Sequence, residues 1–295
     1  MRRAGDARLW SGRMPPSRLI VLDVTTSTQD EARGLLAAGE AGPLWILARS
    51  QRAGRGRKGR RWISPPGNLH LSLLLTDAGP AHLRPQLSFV AALAAHKAIS
   101  ALALRAGRPQ LQDLLRLKWP NDILLAERKL GGILLESEPL PPSAAPPREG
   151  PCATGSGGAA GESTAPAAVI IGWGVNLRHA PPDVALRWPA ATLADAGLEV
   201  APETLARELA GAFDRWLHRW RRSGLAPVAA AWSRRAWGLG REVAVRSGAV
   251  VHRGRLAGLA PDGALLLERG EAPPLALHAG EILHPATATP ENDDT

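Results

Sequence analysis

The chain has 295 residues and a formal net charge of +9, so it is long enough for one large domain or two, with a proper core. Its single cysteine, Cys152, excludes an intramolecular disulfide and a cysteine-rich metal site, and the eight histidines lack the spacing of a zinc site. The positive charge favours an anionic partner without choosing between nucleic acid, nucleotide and acidic protein.

The N-terminal part predicts a polar lead-in, a strand and a helix. Residues 1–17 are basic and proline-bearing and lack an apolar signal segment, so we expect a cytoplasmic protein without a membrane span. Arg18–Val24 predicts a strand. Ser27 or Thr28 can cap the helix that follows, and capping alone would explain either residue.

A short strand, Leu44–Ala48, leads into the basic loop Gly54–Trp62, whose sequence is GRGRKGRRW. No Asp or Glu occurs from Ala41 to Thr76, so the loop is predicted to carry its charge without a local partner. Glycines let successive backbone N–H groups form an anion-binding concavity, and arginines add bidentate donors. Three interpretations stay open: a solvated loop, an RGG-like nucleic-acid segment and a small-anion site.

The middle of the chain predicts core elements. Asn68–Leu75 has the pattern of a largely buried strand, and Pro85–Arg105 that of a long buried helix. Within that helix, His96 and Lys97 are interpreted as a pair at the edge of the core rather than as a site.

Two motifs follow, KWPND at 118–122 and RKLGG at 128–132, in a pattern of strand, turn, strand, hairpin and strand. Ordinary turn chemistry explains the Pro-Asn-Asp sequence. The same strands, however, are predicted to bring four polar residues to one end of a sheet: Lys118, Asn121, Asp122 and Lys129. The adjacent glycines, Gly131 and Gly132, leave the nearby surface bare, so a ligand could lie against the backbone.

The segment Pro139–Pro166 contains seven prolines and five glycines with few apolar residues, which predicts a disordered insertion. A strand at Ala168–Gly174 and an amphipathic helix at Glu203–Arg222 follow, then a short helix at about Pro227–Trp237. Short alternating strands between Arg241 and Leu283 predict a small β-barrel as a second domain. Three turns are predicted to separate these strands, at Ser247-Gly248, Pro261-Asp262-Gly263 and Arg269-Gly270.

The ordered combination of motifs resembles the biotin protein ligase family, the biotin–[acetyl-CoA-carboxylase] ligases. The resemblance runs from Ser27-Thr28 through Gln51, GRGRKGRRW, KWPNDI and RKLGGIL to Gly172–Asn176, and it spans nearly everything from Leu19 to Leu283. It implies an α+β fold: a class II synthetase-like catalytic domain with a mixed or antiparallel sheet and flanking helices, plus a C-terminal SH3-like β-barrel.

The implied boundaries are a lead-in at 1–17, a catalytic domain at 18–238 with an insertion at 139–166, an SH3-like domain at 239–285 and a disordered tail at 286–295. The lead-in leaves no room before Arg18 for a winged-helix domain. We therefore expect a ligase without the repressor arm, with no DNA as a partner.

The resemblance also implies roles for individual residues. Biotin contacts fall on Ser27, Thr28, Gln29, Gln51, Arg55, Gly56, Arg57, Lys129, Gly131 and Gly132. Contacts with ATP or the adenylate fall on Arg55, Arg57, Arg60, Trp62, Asn121, Asp122, Lys129 and Asn176, with Trp62 stacked on adenine. Lys129, Arg57 and Asp122 are the implied catalytic residues, and Asp122 is either a general base or a Mg²⁺ ligand.

Two positions depart from the family pattern. Gln29 stands where relatives often have Asn or Met, and Trp173 stands where a smaller residue is usual. The second departure is expected to reshape the wall near the adenylate.

The implied reaction uses ATP, Mg²⁺ and biotin as substrate to form biotinoyl-5′-AMP. Biotin is then transferred to a lysine on the biotin carboxyl carrier domain of an acetyl-CoA, propionyl-CoA or pyruvate carboxylase. One alternative is a lipoate or octanoate ligase of the same superfamily. Another, of a different class, is a basic nucleic-acid-binding module, which the lack of interleaved aromatics and of a recognition helix disfavours.

Overall fold

The computed structural model describes residues 18–141, 167–181 and 188–285. A seven-stranded mixed sheet dominates, with the order β1-β2-β3-β7-β6-β5-β4. Its strands are β1 Arg18–Thr25, β2 Leu44–Gln51, β3 Leu69–Leu75, β4 Leu115–Lys118, β5 Asp122–Leu125, β6 Arg128–Pro139 and β7 Ala167–Val175. β1 and β2 pair in parallel, whereas the other neighbours are antiparallel. The sheet therefore has the mixed pairing that the resemblance implied.

Helices cover both faces of this sheet. They are α1 Thr28–Ala37, α2 Leu87–Arg105, α3 Leu111–Leu114, α4 Pro202–Ser223 and α5 Ala226–Ser233. On one face, Ala32 and Leu36 of α1 pack against Ile46, Leu74 and Ile170. The other face packs against α2 and α4 in the main core. Since side chains alternate along each strand, Ile170 of β7 packs in the core beneath α1, whereas its neighbour Ile171 packs in the main core.

The helix α2 is almost entirely apolar because it lies between the sheet, α4 and α5. By length and composition alone, the segment Ala81–Arg105 could span a membrane, but most of it is buried inside the protein. A core helix has these properties. His96 lies inside its buried surface and Lys97 on its exposed side, so the two do not form a site.

A second, five-stranded antiparallel sheet follows, with the order β11-β10-β9-β8-β12. Its strands are β8 Glu242–Ser247, β9 Val250–Leu259, β10 Leu265–Arg269, β11 Ala272–Leu277 and β12 Glu281–Ile282. The structure confirms the short strands and the three turns between β8 and β11. Closure of this sheet into a barrel stays a prediction, and so do the domain boundaries.

Several element boundaries differ from those predicted. The helix α5 ends at Ser233 rather than near Trp237, because the Leu117 N–H bonds to the Arg235 carbonyl and the Trp237 N–H to the Leu117 carbonyl. The helix α2 starts at Leu87, after a 3₁₀ turn at Ala81–Gln86.

The insertion also begins later than predicted, because β6 continues to Pro139, which pairs with Ala167 of β7. Residues 142–166 of that insertion, the lead-in and the tail lie outside the described residues.

Candidate active site

One cavity of about 680 Å³ lies between the start of α1, the α1 side of the large sheet, the basic loop and the edge of the C-terminal sheet. That volume is typical of a small-molecule site. All but one of the predicted ligand-contacting residues line it: Ser27, Thr28, Gln29, Gln51, Arg55, Gly56, Arg57, Arg60, Trp62, Asn121, Asp122, Lys129, Gly132 and Asn176. The exception is Gly131, where a Cβ would lie 2.6 Å from the Gly174 carbonyl, so its role is close packing within the sheet.

One end of the cavity is neutral and rich in hydrogen-bonding groups. Ser27 caps α1 by accepting the Gln29 N–H at 3.2 Å. The Gln51 side chain accepts the Thr28 N–H at 2.8 Å and donates to the Ser64 hydroxyl at 2.8 Å. The capping interpretation of Ser27 is therefore confirmed, and the cap itself forms part of the cavity wall.

Gln29 has unsatisfied hydrogen-bonding capacity at this end. Its Nε2 donates to the Leu134 carbonyl at 3.2 Å, but its buried Oε1 has no hydrogen-bond partner among the described residues. A Cβ at Gly172 would lie 3.0 Å from Nε2, so a larger residue at this position would press on the Gln29 amide. An unpaired buried acceptor costs free energy, and a ligand N–H donor would remove that cost.

Trp62 lies directly against the backbone of β7. A Cβ at Gly174 would meet the indole ring at 2.5 Å, so only glycine permits this packing. The Lys129 ammonium lies 5.9 Å from the ring centroid. Trp62 therefore presents an aromatic surface beside a cation, which suits a planar anionic ligand.

Trp173 borders the cavity, but its indole is directed away from it. Gly172 and Gly174 face the cavity, so the side chain between them points to the opposite face of the sheet. There the Trp173 indole stacks on Trp45 at 5.4 Å and donates to the Ala91 carbonyl at 3.2 Å. Its large size fills the core.

The basic loop has no acidic partner in the neighbouring sequence, as predicted, but two of its arginines pair with acids that are distant in the chain. Arg55 makes a bidentate pair with Asp30 of α1 at 2.9 and 2.6 Å. Arg60 makes another with Glu281 of β12 at 3.2 and 2.6 Å. Hydrogen bonding from Arg55 lowers the pKa of Asp30, and Arg60 lowers the pKa of Glu281 despite the opposing effect of burial.

Arg57 differs from these two arginines. Its guanidinium donates to the Asn121 side chain at 3.2 Å and to the Gly280 carbonyl at 3.4 Å. Within the described part of the chain, no carboxylate lies within ion-pair distance of it. Burial lowers the pKa of Arg57, and the attraction of the more distant Asp122 and Glu281 carboxylates only partly opposes this. This guanidinium is therefore the best-placed cation for an incoming anion.

Asp122 lies between two lysines. Its oxygens lie 2.9 Å from the Lys118 ammonium and 2.7 Å from the Lys129 ammonium. Burial alone would raise the pKa of Asp122, but Lys118 and Lys129 outweigh it and hold the pKa well below its usual range. A carboxylate with such a low pKa is a weak base at neutral pH, so the geometry disfavours the general-base role.

The fit of Mg²⁺ to these residues is also poor. Both oxygens of Asp122 are engaged by ammonium groups, and the described residues contain no group of three His, Cys, Asp or Glu side chains able to hold a metal ion. The described ranges thus contain no cluster of carboxylate, histidine or cysteine side chains that would hold Mg²⁺ by itself.

Several residues that line the cavity were not among those predicted to contact ligand, including Lys118, Trp188, Arg246, Glu281 and His284. Lys118 could have been predicted from the sequence, because it is a lysine flanked by apolar residues. In the structure it pairs directly with Asp122 across β4 and β5. The three from the C-terminal sheet and its end had no such signal, because only tertiary packing brings them to the cavity.

Comparison with known proteins agrees with this fold and site. Residues 21–143 match the model of the "Biotin/lipoate A/B protein ligase family", and residues 238–284 match that of the "Biotin protein ligase C terminal domain". The biotin–[acetyl-CoA-carboxylase] ligase of Paracoccus denitrificans is 39% identical over 263 residues, covering 88% of this chain and 97% of that protein.

Two further proteins are similar over most of the chain. The bifunctional ligase/repressor BirA of Escherichia coli is 32% identical, covering 90% of this chain and 73% of BirA. The structure of biotin protein ligase from Aquifex aeolicus in complex with biotin and ATP superposes with a TM-score of 0.68 at 23% identity, over 90% of this chain and 97% of that one. The structural match shows a shared fold, and the identity to the Paracoccus protein shows more: this chain belongs to the biotin protein ligase family.

Proposed function

We propose that this protein activates biotin with ATP to biotinoyl-5′-AMP and transfers the biotin to a lysine of a biotin carboxyl carrier domain. The observation that carries the proposal is a single cavity with two chemically different ends. Buried neutral groups line one end, and Arg57 and Lys129 lie at the other. Biotin has the same division, because its ureido bicycle is neutral and its side chain ends in a carboxylate.

The neutral end suits the ureido ring. The unpaired Oε1 of Gln29 can accept a ring N–H, and the hydroxyls of Ser27 and Thr28 lie on the same wall. A site built from neutral donors and acceptors rejects analogues that lack the matching groups. We propose that these residues select biotin over lipoate and octanoate, which have no ureido group.

The cationic end suits the first chemical step. A biotin carboxylate oxygen bonds to the α-phosphorus of ATP while the bond to the β-phosphate oxygen breaks and pyrophosphate leaves. Negative charge then meets negative charge, so fixed cations at that point lower the barrier. Arg57, which has no carboxylate partner in the described chain, and Lys129 are placed to supply them.

In the second step the amine of the acceptor lysine bonds to the acyl carbon, and AMP leaves with the electron pair of the mixed-anhydride bond. The lysine proton passes to solvent in our proposal, because Asp122 is held as a weak base. The family implies Mg²⁺, which is usually bound largely through substrate phosphates. With Asp122 occupied by two lysines, we derive no step through a protein-bound metal.

The acceptor we propose is the carrier domain of acetyl-CoA carboxylase, because the Paracoccus relative is named a biotin–[acetyl-CoA-carboxylase] ligase. The carrier domains of propionyl-CoA and pyruvate carboxylases are further candidates. We also propose a cytoplasmic location, and functional units at 18–238 and 239–285.

The decisive experiment measures pyrophosphate release from ATP with biotin, lipoate or octanoate. We expect release with biotin alone, followed by a mass increase on the carrier-domain lysine. Pyrophosphate release with lipoate or octanoate, and none with biotin, would instead make this protein a lipoate or octanoate ligase. Tight binding of an RNA or DNA oligonucleotide without any release would overturn it in favour of a nucleic-acid-binding module.

A further inference from the structure

Lys118 is a buried cation at the cavity for which the proposed reaction has no use so far. It lies at the end of β4, it borders the cavity, and its side chain is only 2% exposed. A buried ammonium is tolerated only where its donors find partners. The partners of Lys118 therefore indicate its purpose.

Three different groups surround its Nζ. The Asp122 carboxylate lies at 2.9 Å, the Ile282 carbonyl accepts a hydrogen bond at 3.4 Å, and the Trp188 ring centroid lies at 4.5 Å. With partners on these three sides, the ammonium is poorly available to a ligand. Lys129, by contrast, binds the other oxygen of Asp122, lines the cavity and has a side chain that is 25% exposed.

We propose that Lys118 is a positioning residue that offsets the negative charge of Asp122. The positive charge of Lys129 is then not cancelled by Asp122 and can act on the reacting anions. The proposal rests on the proposed function. One carboxylate between two ammonium groups leaves this three-residue cluster with one net positive charge. Without Lys118, Asp122 would neutralise Lys129, and the cluster would be electroneutral beside a polyanionic substrate.

The arrangement also fixes geometry. Lys118 and Asp122 are direct partners across the β4–β5 pair, so the ammonium holds one carboxylate oxygen and leaves the other directed at Lys129. The Ile282 carbonyl belongs to β12, so the same ammonium also ties the C-terminal sheet to the cluster.

Two variants separate the charge of Lys118 from its packing. Lys118→Met keeps an apolar stem against Trp188 and removes the charge, so the cluster becomes neutral. The double variant Lys118→Met/Asp122→Asn restores one net positive charge on Lys129, while Asn can still accept its hydrogen bond. Lys97→Met on the exposed side of α2 is the matched control.

The first readout is the dissociation constant of inorganic pyrophosphate, measured by calorimetry without biotin. We expect Lys118→Met to weaken it about tenfold or more, since one unit charge is lost near the anion. The double variant should recover to within about threefold of the parent. The second readout is biotin-dependent pyrophosphate release, in which the KM for ATP should follow the same order.

Equal losses in the single and double variants would show that Lys118 acts through packing alone and would overturn the proposal. So would parent-like pyrophosphate binding in folded Lys118→Met. Should that variant not fold, Lys118→Gln keeps a donor for the Ile282 carbonyl and should show the same loss. If the parent protein bound inorganic pyrophosphate but formed no pyrophosphate from ATP with biotin, the proposed function would be overturned. The dissociation constants of pyrophosphate would still decide the role of Lys118.

Discussion

Arg55 and Arg57 are two residues apart in the same loop, yet their guanidinium groups have different surroundings. Asp30 neutralises Arg55, whereas Arg57 contacts only a side-chain amide and a backbone carbonyl among the described residues. Positive charge in the cavity is therefore set by how each cation is paired, and not by the number of arginines. Arg57 and Lys129 supply the charge that a reacting carboxylate and phosphate need.

Lys129→Ala should slow biotin-dependent pyrophosphate release by about 10²–10³, the usual cost of removing one fixed donor at a developing charge. Transfer from supplied biotinoyl-AMP should fall much less, because the α-phosphate has already reacted. Folding should be preserved, since Asp122 keeps Lys118 as its partner. Stopped-flow rates for the two steps test this, with Lys97→Ala as the control. Equal loss in both steps would contradict a role confined to activation.

His96 should make the protein less stable in mild acid. Burial, with smaller effects from nearby Arg235, Arg116 and Lys97, lowers its pKa from 6.5 to about 4. Between these values the unfolded chain binds a proton that the folded chain does not, so the free energy of unfolding falls as pH falls. The loss from this residue is up to about 3 kcal/mol.

Urea unfolding of the parent and of His96→Gln across this pH range measures that loss. The variant should show the smaller pH dependence. Identical slopes would mean that other groups, such as the buried His70, cause the effect.

At the scale of elements, the sequence predicted what local pattern controls. The apolar run of α2, the stripe of α4 and the three turns of the C-terminal sheet all have local signals, and the structure has these elements. The cap at Ser27 and the grouping of Asn121, Asp122 and Lys129 were also predictable. Because β4, β5 and β6 are antiparallel neighbours in the sheet, Asn121, Asp122 and Lys129 come together at the cavity.

Contacts made across the chain could not be predicted in this way. Arg55 finds Asp30 at a separation of 25 residues, and Arg60 finds Glu281 at a separation of 221. The end of α5 was misplaced for the same reason, since backbone bonds to β4 replaced its last turn. Periodicity records which face of an element is buried, but it does not record the partner that covers it.

The basic loop should be protected from proteolysis by its ligands. Lys58 is exposed, with φ at 57°, at the tip of the loop. A lysine-specific protease should cut there in the free protein, and biotin plus ATP should suppress the cut, as expected for an active-site cover. The measurement is the rate of fragment appearance on a gel. Equal rates with and without ligand would argue against ordering of the loop.

The segment between β6 and β7 should be dispensable. Pro139 and Ala167 are direct partners across these strands, at the opposite end of β6 from Lys129. Replacing residues 142–166 by a short Gly/Ser turn should keep pyrophosphate release within a few-fold of the parent, since loop length has a small entropic cost. Loss of activity in a variant with a parent-like Tm would reveal a role for the segment.

At the scale of the whole molecule, the cavity is completed by the C-terminal sheet. Arg246, Glu281 and Ile282 belong to that sheet and line the cavity beside residues of the large sheet. Contacts that join the parts directly include the Arg60–Glu281 ion pair and the hydrogen bonds from Arg57 to the Gly280 carbonyl and from Lys118 to the Ile282 carbonyl. Movement between the two sheets would therefore alter the basic loop and the lysine cluster together.

The ion pair between Arg60 and Glu281 should hold the basic loop closed in a salt-dependent way. Its side chains are 47% and 19% exposed, so dissolved ions can screen it. Raising NaCl from about 0.05 M to about 0.5 M should speed cleavage at Lys58 in the parent, because the Debye length falls to a few ångströms. Glu281→Gln should cleave faster at low salt and respond less to added salt.

The control for this experiment is Glu268→Gln, which removes a pair with Arg255 inside the C-terminal sheet and away from the loop. It should keep the parent's cleavage rate and salt response, which also corrects for any effect of salt on the protease. If Glu268→Gln and Glu281→Gln behaved alike, the salt effect would reflect general loosening of the C-terminal sheet. A specific change in Glu281→Gln would instead show that the sheet controls access to the cavity through this one contact.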